Sequence, residues 1–189
     1  MREFLAFAAG ALLACSAAGG ADKAASMPVT VTINFIDATG VGKVAGTITL
    51  RETSEGLELE TRLNSLPPGE HGFHLHQNPS CAPGEDDGKR APGIAAGGHY
   101  DPHATKAHKG PGGGGHLGDL PKLVVDSKGI ANVKLKIAGL KLDDVAGRAI
   151  MIHEGGDNYS DSPQPLGGGG GRIACGVIPD THGTEKPTR

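Results

Sequence analysis

Apolar and polar residues alternate in eight short segments of this chain. The first segment shows the pattern best, because Val29, Val31 and Ile33 fall on one face and the threonines between them fall on the other. The other seven segments are centred on residues 44–50, 57–63, 73–75, 123–125, 133–137, 150–152 and 173–177. A period of two residues is typical of a β-strand with one buried face, whereas an amphipathic helix repeats about every 3.6 residues. The chain is therefore expected to be all-β.

Short turns between the segments favour antiparallel neighbours. The turn sequence Asp37-Ala-Thr-Gly40, for example, brings two of the segments close together in the chain. We predict an eight-stranded Greek-key barrel, flattened into a sandwich, as one domain over residues 28–179. Residues 77–119 and 154–171 do not fit the strand pattern, and each stretch follows a strand that ends in a histidine. Loops of this length in a compact domain are usually functional.

The N-terminus is predicted to be an export signal. Residues 4–14 are apolar apart from one small glycine, which is too short for a membrane span of roughly 20 residues. The stretch ends in Leu-Leu-Ala before Cys15 and resembles the lipobox of bacterial lipoproteins, in which the cysteine is acylated. The alternative is an ordinary signal peptide cut near Ala18, which would remove Cys15. In both cases the chain is exported, to the periplasm or cell envelope, and the predicted membrane contact is the lipid on Cys15. The predicted divisions are a signal peptide at 1–14, a flexible tether at 15–27, the domain at 28–179 and a polar tail at 180–189.

Charge and histidine content narrow the class of function. With 18 Lys and Arg against 21 Asp and Glu, the net charge of −3 shows no basic excess for binding nucleic acid. The chain has 9 histidines. Seven of them are clustered, at positions 71, 74, 76, 99, 103, 108 and 116. Such clustering indicates a metal site.

The spacing of these histidines predicts two kinds of ligand set. His74 and His76 are two apart on a predicted strand, so both side chains point to one face and can chelate one metal. Further along, three imidazoles and a carboxylate make a closed four-ligand set of the kind zinc accepts. These four are His99, His108, His116 and Asp119. His103, four residues after His99, is the alternative to His108. One more histidine, His153, ends a predicted strand.

Five segments carry a resemblance to a known family. They are Gly72-Phe-His-Leu-His76, Gly98-His-Tyr-Asp-Pro102, Gly115-His-Leu-Gly-Asp-Leu120, Ile152-His-Glu-Gly-Gly-Asp-Asn158 and Gly171-Arg-Ile-Ala-Cys-Gly-Val-Ile178. In this order they resemble the signature segments of copper,zinc superoxide dismutase, in its bacterial exported branch. The resemblance runs from about Val29 to Ile178 and implies copper and zinc as cofactors and superoxide as substrate.

The resemblance implies a role for each matching residue. Copper would be held by His74, His76, His99 and His153, and zinc by His99, His108, His116 and Asp119. His99 would bridge the two metals and, with Arg172, act in catalysis. Asp157 would accept hydrogen bonds from His74 and His108, and Cys81 would form a disulfide with Cys175.

Other features stay open at this level. The resemblance implies an activity in which two superoxide anions give dioxygen and hydrogen peroxide. The competing interpretation is a copper-binding protein that has the same fold but no such activity. Arg172 can dock a small anion, and Lys89 and Arg90 are candidates for attracting it. His71 and His182 fall outside the family pattern and are expected to be solvated. A homodimer is possible, and the sequence does not decide the oligomeric state.

Overall fold

The computed structural model describes residues 27–180. This part of the chain forms eleven strands and one four-residue helix, α1 (Leu142–Val145). The strands are β1 (Val29–Asp37), β2 (Gly40–Thr53), β3 (Gly56–Leu63), β4 (Gly69–His71), β5 (Phe73–His76), β6 (Gly84–Asp86), β7 (Lys89–Ala91), β8 (Leu123–Val125), β9 (Lys134–Ala138), β10 (Ala149–His153) and β11 (Arg172–Val177). Each of the eight predicted strands is present, so the all-β prediction is confirmed.

Seven of the strands form one curled antiparallel sheet. Their order is β5-β10-β11-β1-β2-β3-β9, so the chain crosses over between strands that are distant in sequence. A separate pair, β4 and β8, lies beside this sheet. The predicted Greek-key barrel is confirmed by this order.

The alternation in the sequence becomes alternating burial in the sheet. In β3 the buried side chains are Leu57, Leu59, Thr61 and Leu63, with partly or fully exposed residues between them. Their leucines join the main core with residues of the other strands. Full burial of a leucine side chain contributes about 1.5–3 kcal/mol, so the period-two pattern supplies much of the driving force for closing the sheet.

Three short strands and the helix were not predicted. The β6–β7 hairpin lies inside loop 77–119 and pairs acids with bases, with Asp86 opposite Lys89 and Glu85 opposite Arg90. It has no apolar alternation that a sequence pattern could reveal. Among residues 27–180, the helices are all too short or too polar to cross a bilayer.

The disulfide predicted from the resemblance is present. Cys81, in loop 77–119, is bonded to Cys175 of β11, and the two cysteines are 94 positions apart. Closing a loop of about this length stabilises the folded state by about 4–5 kcal/mol in the chain-entropy model. The bond therefore fixes the start of the long loop to the barrel. The signal peptide, most of the tether with Cys15, and His182 lie outside the described residues.

Candidate metal centre

Strand β5 places His74 and His76 on one face. Phe73 and Leu75 point into the main core, so the two histidines point to the other side of the strand. On one edge β5 pairs with β10, where Met151 lies opposite His74. On its other edge, isolated bridges join His74 to Asp119 and His76 to His99. Two stretches of loop 77–119 are thus paired directly with the histidine-bearing strand.

Two clusters of buried ligand atoms result. In each cluster the donor atoms lie within 4.8 Å of one another. The first cluster contains His74, His76, His99 and His153, and the second contains His74, His99, His108 and Asp119. His116 lies at the edge of the second cluster, with its Nδ1 3.3 Å from Asp119 Oδ1. The structure therefore brings together every ligand candidate from the family pattern.

Asp157 sets the tautomer of two histidines. The Nε2–H of His74 and the Nε2–H of His108 each donate to one of its carboxylate oxygens, both at 2.8 Å. Burial alone would raise the pKa of Asp157, but the hydrogen bonds from these two rings and from the Tyr159 amide hold it well below its usual value. With their protons on Nε2, both rings have a lone pair on Nδ1. Both Nδ1 atoms are buried, and no described residue offers them a hydrogen bond.

His76 and His153 face each other through nitrogen lone pairs. The Nδ1–H of His76 donates to Gly97 O at 2.8 Å, and that of His153 donates to Gly170 O at 3.3 Å. Burial lowers the pKa of His153 to about 3, with help from the nearby His74, and lowers that of His76 well below its usual value. Both rings are therefore neutral at neutral pH, yet their Nε2 atoms are only 3.4 Å apart. A cation bound by both nitrogens removes this repulsion, so the first cluster fits a metal ion.

In the second cluster, too, lone pairs face one another in a way that a bound cation would stabilise. Asp119 Oδ1 is 3.0 Å from Nδ1 of His99 and 3.0 Å from Nδ1 of His108. His108 already uses its proton at Asp157, so its Nδ1 lone pair points at a carboxylate oxygen. Ligands bound tetrahedrally at about 2.0–2.1 Å from zinc are themselves separated by roughly 3.3 Å, which is close to these distances. The second cluster therefore fits a zinc ion.

His99 belongs to both clusters through different nitrogens. Its Nδ1 faces Asp119, while its Nε2 is buried and has no hydrogen-bond partner among residues 27–180. Burial lowers the pKa of His99 to about 4, although Asp119 acts in the opposite direction. The ring is thus placed to bridge two metal ions.

Two other histidines were left open or assigned differently from the sequence. His103 is exposed, whereas His108 is buried inside the second cluster. The prediction that His71 is solvated is wrong: only 2% of it is exposed. Its Nδ1 is 2.7 Å from His153 O and its Nε2 is 2.7 Å from Pro67 O. The end of β10 folds over the ring, and no local sequence signal reveals such a long-range contact.

A cavity of about 410 Å³ opens on the first cluster. His76, His99 and His153 line it, together with the charged residues Asp86 and Arg172. The guanidinium of Arg172 donates to Gly93 O at 2.6 Å and to Gly97 O at 2.8 Å, so loop 77–119 holds it in place. Burial lowers the pKa of Arg172 and Asp86 opposes that shift, but a guanidinium remains a cation at neutral pH.

One charged residue of the β6–β7 hairpin lies in the cavity lining. Asp86 lines the cavity, whereas Lys89 and Arg90, the candidates for attracting an anion, lie outside its lining. Arg90 instead uses its Nε–H to bind Ala38 O at 2.8 Å. In the sequence Asp86 is the middle one of three consecutive acids, so nothing local distinguishes it from its neighbours.

The two long loops are joined behind the second cluster. Asp161 of loop 154–171 accepts a hydrogen bond from the His108 amide at 2.8 Å and another from the Leu166 amide at 3.1 Å.

Gly167 has a φ of +73°, and a Cβ there would lie 2.1 Å from Asp157 Oδ1. Only glycine leaves room for the carboxylate that holds both histidine rings.

Comparisons with known proteins agree with this geometry. Residues 44–178 match the family model for copper/zinc superoxide dismutase. The chain is 53% identical over 168 residues to the Cu-Zn superoxide dismutase 2 of Salmonella typhimurium, covering 88% of this chain and 94% of that protein.

Two solved structures are also similar. The Cu/Zn superoxide dismutase from Brucella abortus has a TM-score of 0.79 at 51% identity, covering 80% of this chain and 99% of that one. The monomeric copper, zinc superoxide dismutase from Salmonella enterica has a TM-score of 0.73 at 54% identity, with the same coverage. With five signature segments, two clusters of facing ligand atoms and these matches in agreement, the chain belongs to the copper/zinc superoxide dismutase family.

Proposed function

We propose that the chain disproportionates superoxide at its first cluster, with copper bound there and zinc bound in the second. The observation that carries the proposal is the set of buried lone pairs that face one another in both clusters. The copper ligands are His74, His76, His99 and His153, and the zinc ligands are His99, His108, His116 and Asp119. His74 is given to copper, although its Nδ1 also lies near the second cluster, because His116 completes the zinc set beside Asp119.

The donor types support this division. Four imidazoles suit copper, and a set that includes a carboxylate suits zinc. When bound, copper supplies one-electron chemistry by cycling between two oxidation states, whereas zinc has no redox chemistry.

The residues around the cavity bind the anion and supply a proton. Arg172 lines the cavity together with His99 and His153, so its cationic side chain can hold a superoxide anion there by charge and hydrogen bonding. His99 lines the same cavity, and its Nε2, whenever its lone pair is not holding a metal, can carry one proton and pass it to the oxygen species that is being reduced, while solvent supplies the second proton. Two superoxide anions and two protons thereby become one dioxygen and one hydrogen peroxide.

The test is dismutation by protein loaded with both metals. We expect superoxide, generated by pulse radiolysis, to decay catalytically and to yield one hydrogen peroxide for each two superoxide anions consumed. Protein that binds one copper and one zinc per chain but leaves superoxide decay unchanged would favour the copper-binding interpretation instead. All ligands come from one chain, so this test does not depend on whether two copies associate.

Charge at the cavity should control how fast superoxide arrives. We expect Arg172→Glu to slow superoxide consumption by on the order of tenfold at low ionic strength, because it replaces the cation that binds the anion. Asp86→Asn should have the opposite effect, since it removes the acid that lines the same cavity. Both effects should shrink as salt screens the charges. Glu85→Gln, on the same hairpin but outside the cavity lining, is the matched control. Unchanged rates in both test variants would show that neither charge acts on the substrate.

We also propose that the chain is exported as a lipoprotein, with the divisions predicted from the sequence. The disulfide supports export, because such bonds persist in oxidising compartments. Acylation would fall on Cys15, leave the tether 15–27 between lipid and domain, and hold the enzyme at the cell envelope. We expect mature protein to carry a diacylglycerol-scale mass increment on Cys15, and Cys15→Ser to release it from membranes. A mature N-terminus beyond Cys15 would contradict the proposal.

A further inference from the structure

The side chain of Arg148 contacts two residues that lie next to histidines of the first cluster. Arg148 lies directly before β10, beside the pair that Ala149 forms with His76. The Cζ of its guanidinium is 4.2 Å from the centroid of the Tyr100 ring. Its Nη1 donates to Gln77 O at 2.6 Å. One side chain therefore contacts two separate positions of loop 77–119, the residue that follows β5 and Tyr100.

Both partners of Arg148 directly follow a histidine of the first cluster. Gln77 follows His76, and Tyr100 follows His99. The two segments are themselves paired, since the Gln77 amide donates to Gly98 O at 3.1 Å and the Tyr100 amide donates to Leu75 O at 2.8 Å. Arg148 adds a contact from a third segment, because it directly precedes β10, which ends at His153. The segments that carry His76, His99 and His153 thus meet at this one guanidinium.

The contact has a cost that stability alone does not explain. The Nε–H of Arg148 is buried, and within residues 27–180 it has no hydrogen-bond partner. Burying an unpaired donor on a cation opposes folding. Features that break a local rule in this way tend to occur where function requires a fixed geometry.

We propose that Arg148 is a positioning residue for copper, which fixes the separation of His76 and His99 by bridging Gln77 O and the Tyr100 ring. The proposal rests on the ligand assignment given under Proposed function. A planar guanidinium can stack on a ring and donate to a carbonyl at the same time, which an ammonium group does less well. Loosening this bridge lets the two imidazoles move relative to each other, and the geometry around copper changes with them.

The test uses full-length protein loaded with copper and zinc. Arg148→Met keeps an unbranched stem over Tyr100 but removes the donor and the charge. We expect a changed copper EPR hyperfine splitting and roughly tenfold faster copper loss to excess EDTA, the scale typical of groups that orient metal ligands. Zinc loss should change less than copper loss, because the other three zinc ligands are not held by this bridge. Arg148→Lys should give an intermediate rate, because it restores a donor to Gln77 O without the planar stack.

Two further variants keep the result decisive. Arg62→Met, at a side chain that is 73% exposed on β3, is the matched control and should leave the spectrum and the release rate unchanged. Tyr100→Leu removes the ring and leaves the Gln77 contact, so it reports on the same bridge if Arg148→Met fails to fold. A wild-type spectrum and release rate in the folded variants, whatever their thermal stability, would overturn the proposal. Wild-type protein that binds no copper would refute the ligand assignment itself, and the two failures are therefore distinguishable.

Discussion

His153→Ala should leave a folded, zinc-containing protein that has lost its dismutase activity. His153 contributes one of four imidazoles to the proposed copper site and does not belong to the second cluster, so we expect its loss to empty or distort the copper site alone. Removing a group that merely orients a ligand already costs about 10–100-fold in metal affinity or activity, so losing a ligand should cost at least this much. Copper and zinc per chain, measured together with superoxide decay, test the prediction.

The companion variant should fail differently. Asp119→Ala removes the carboxylate that three imidazoles face, so we expect zinc loss, a less ordered loop 77–119 and a lower melting temperature, with copper binding and some dismutation retained. His99→Ala should damage both sites, because its two nitrogens face different clusters. If Asp119→Ala keeps its zinc, or His153→Ala keeps full activity, the division of ligands is wrong.

Asp157→Ala should weaken both metal sites with one substitution that removes no ligand. The carboxylate holds the Nε2–H of His74 and of His108, and without it each ring can turn or take the other tautomer. We expect the affinities for copper and zinc to fall together, each by roughly 10–100-fold. Competition with chelators for each metal gives the two affinities.

Asp87→Asn provides the control for this experiment. Asp87 is exposed in the β6–β7 turn at a φ of +49°, a conformation that asparagine accepts, so both affinities should be unchanged. An Asp157→Ala protein that loses affinity for only one metal would show that the carboxylate does not link the two sites.

The strands were predictable because burial imposes a period of two on the sequence. The same logic placed His74 and His76 on one face of β5, where the structure has them. The ligands from loop 77–119 could be grouped by residue type, but their meeting with β10 depends on pairing between segments that are far apart in the chain.

Other features left no pattern to detect. β4, β6 and β7 are three-residue strands of mostly polar residues and glycine, so they show no apolar alternation. His71 is preceded by a turn and looks solvated, yet the backbone of His153 covers it. Asp86 and Arg148 have ordinary sequence neighbours, and their surroundings depend only on how distant segments pack. Tertiary contacts of this kind cannot be read from local composition.

The pairing of β5 with β10 also sets an order of events in the making of this protein. The histidines of the first cluster run from residue 74 to residue 153. His74 and His76 are therefore synthesised well before His153. A complete set of four imidazoles therefore exists only once β5 and β10 have paired. A ligand that binds only the native state stabilises that state and slows its unfolding, but it does not accelerate folding. We therefore expect a metal at the complete cluster to slow unfolding and to leave the folding rate nearly unchanged.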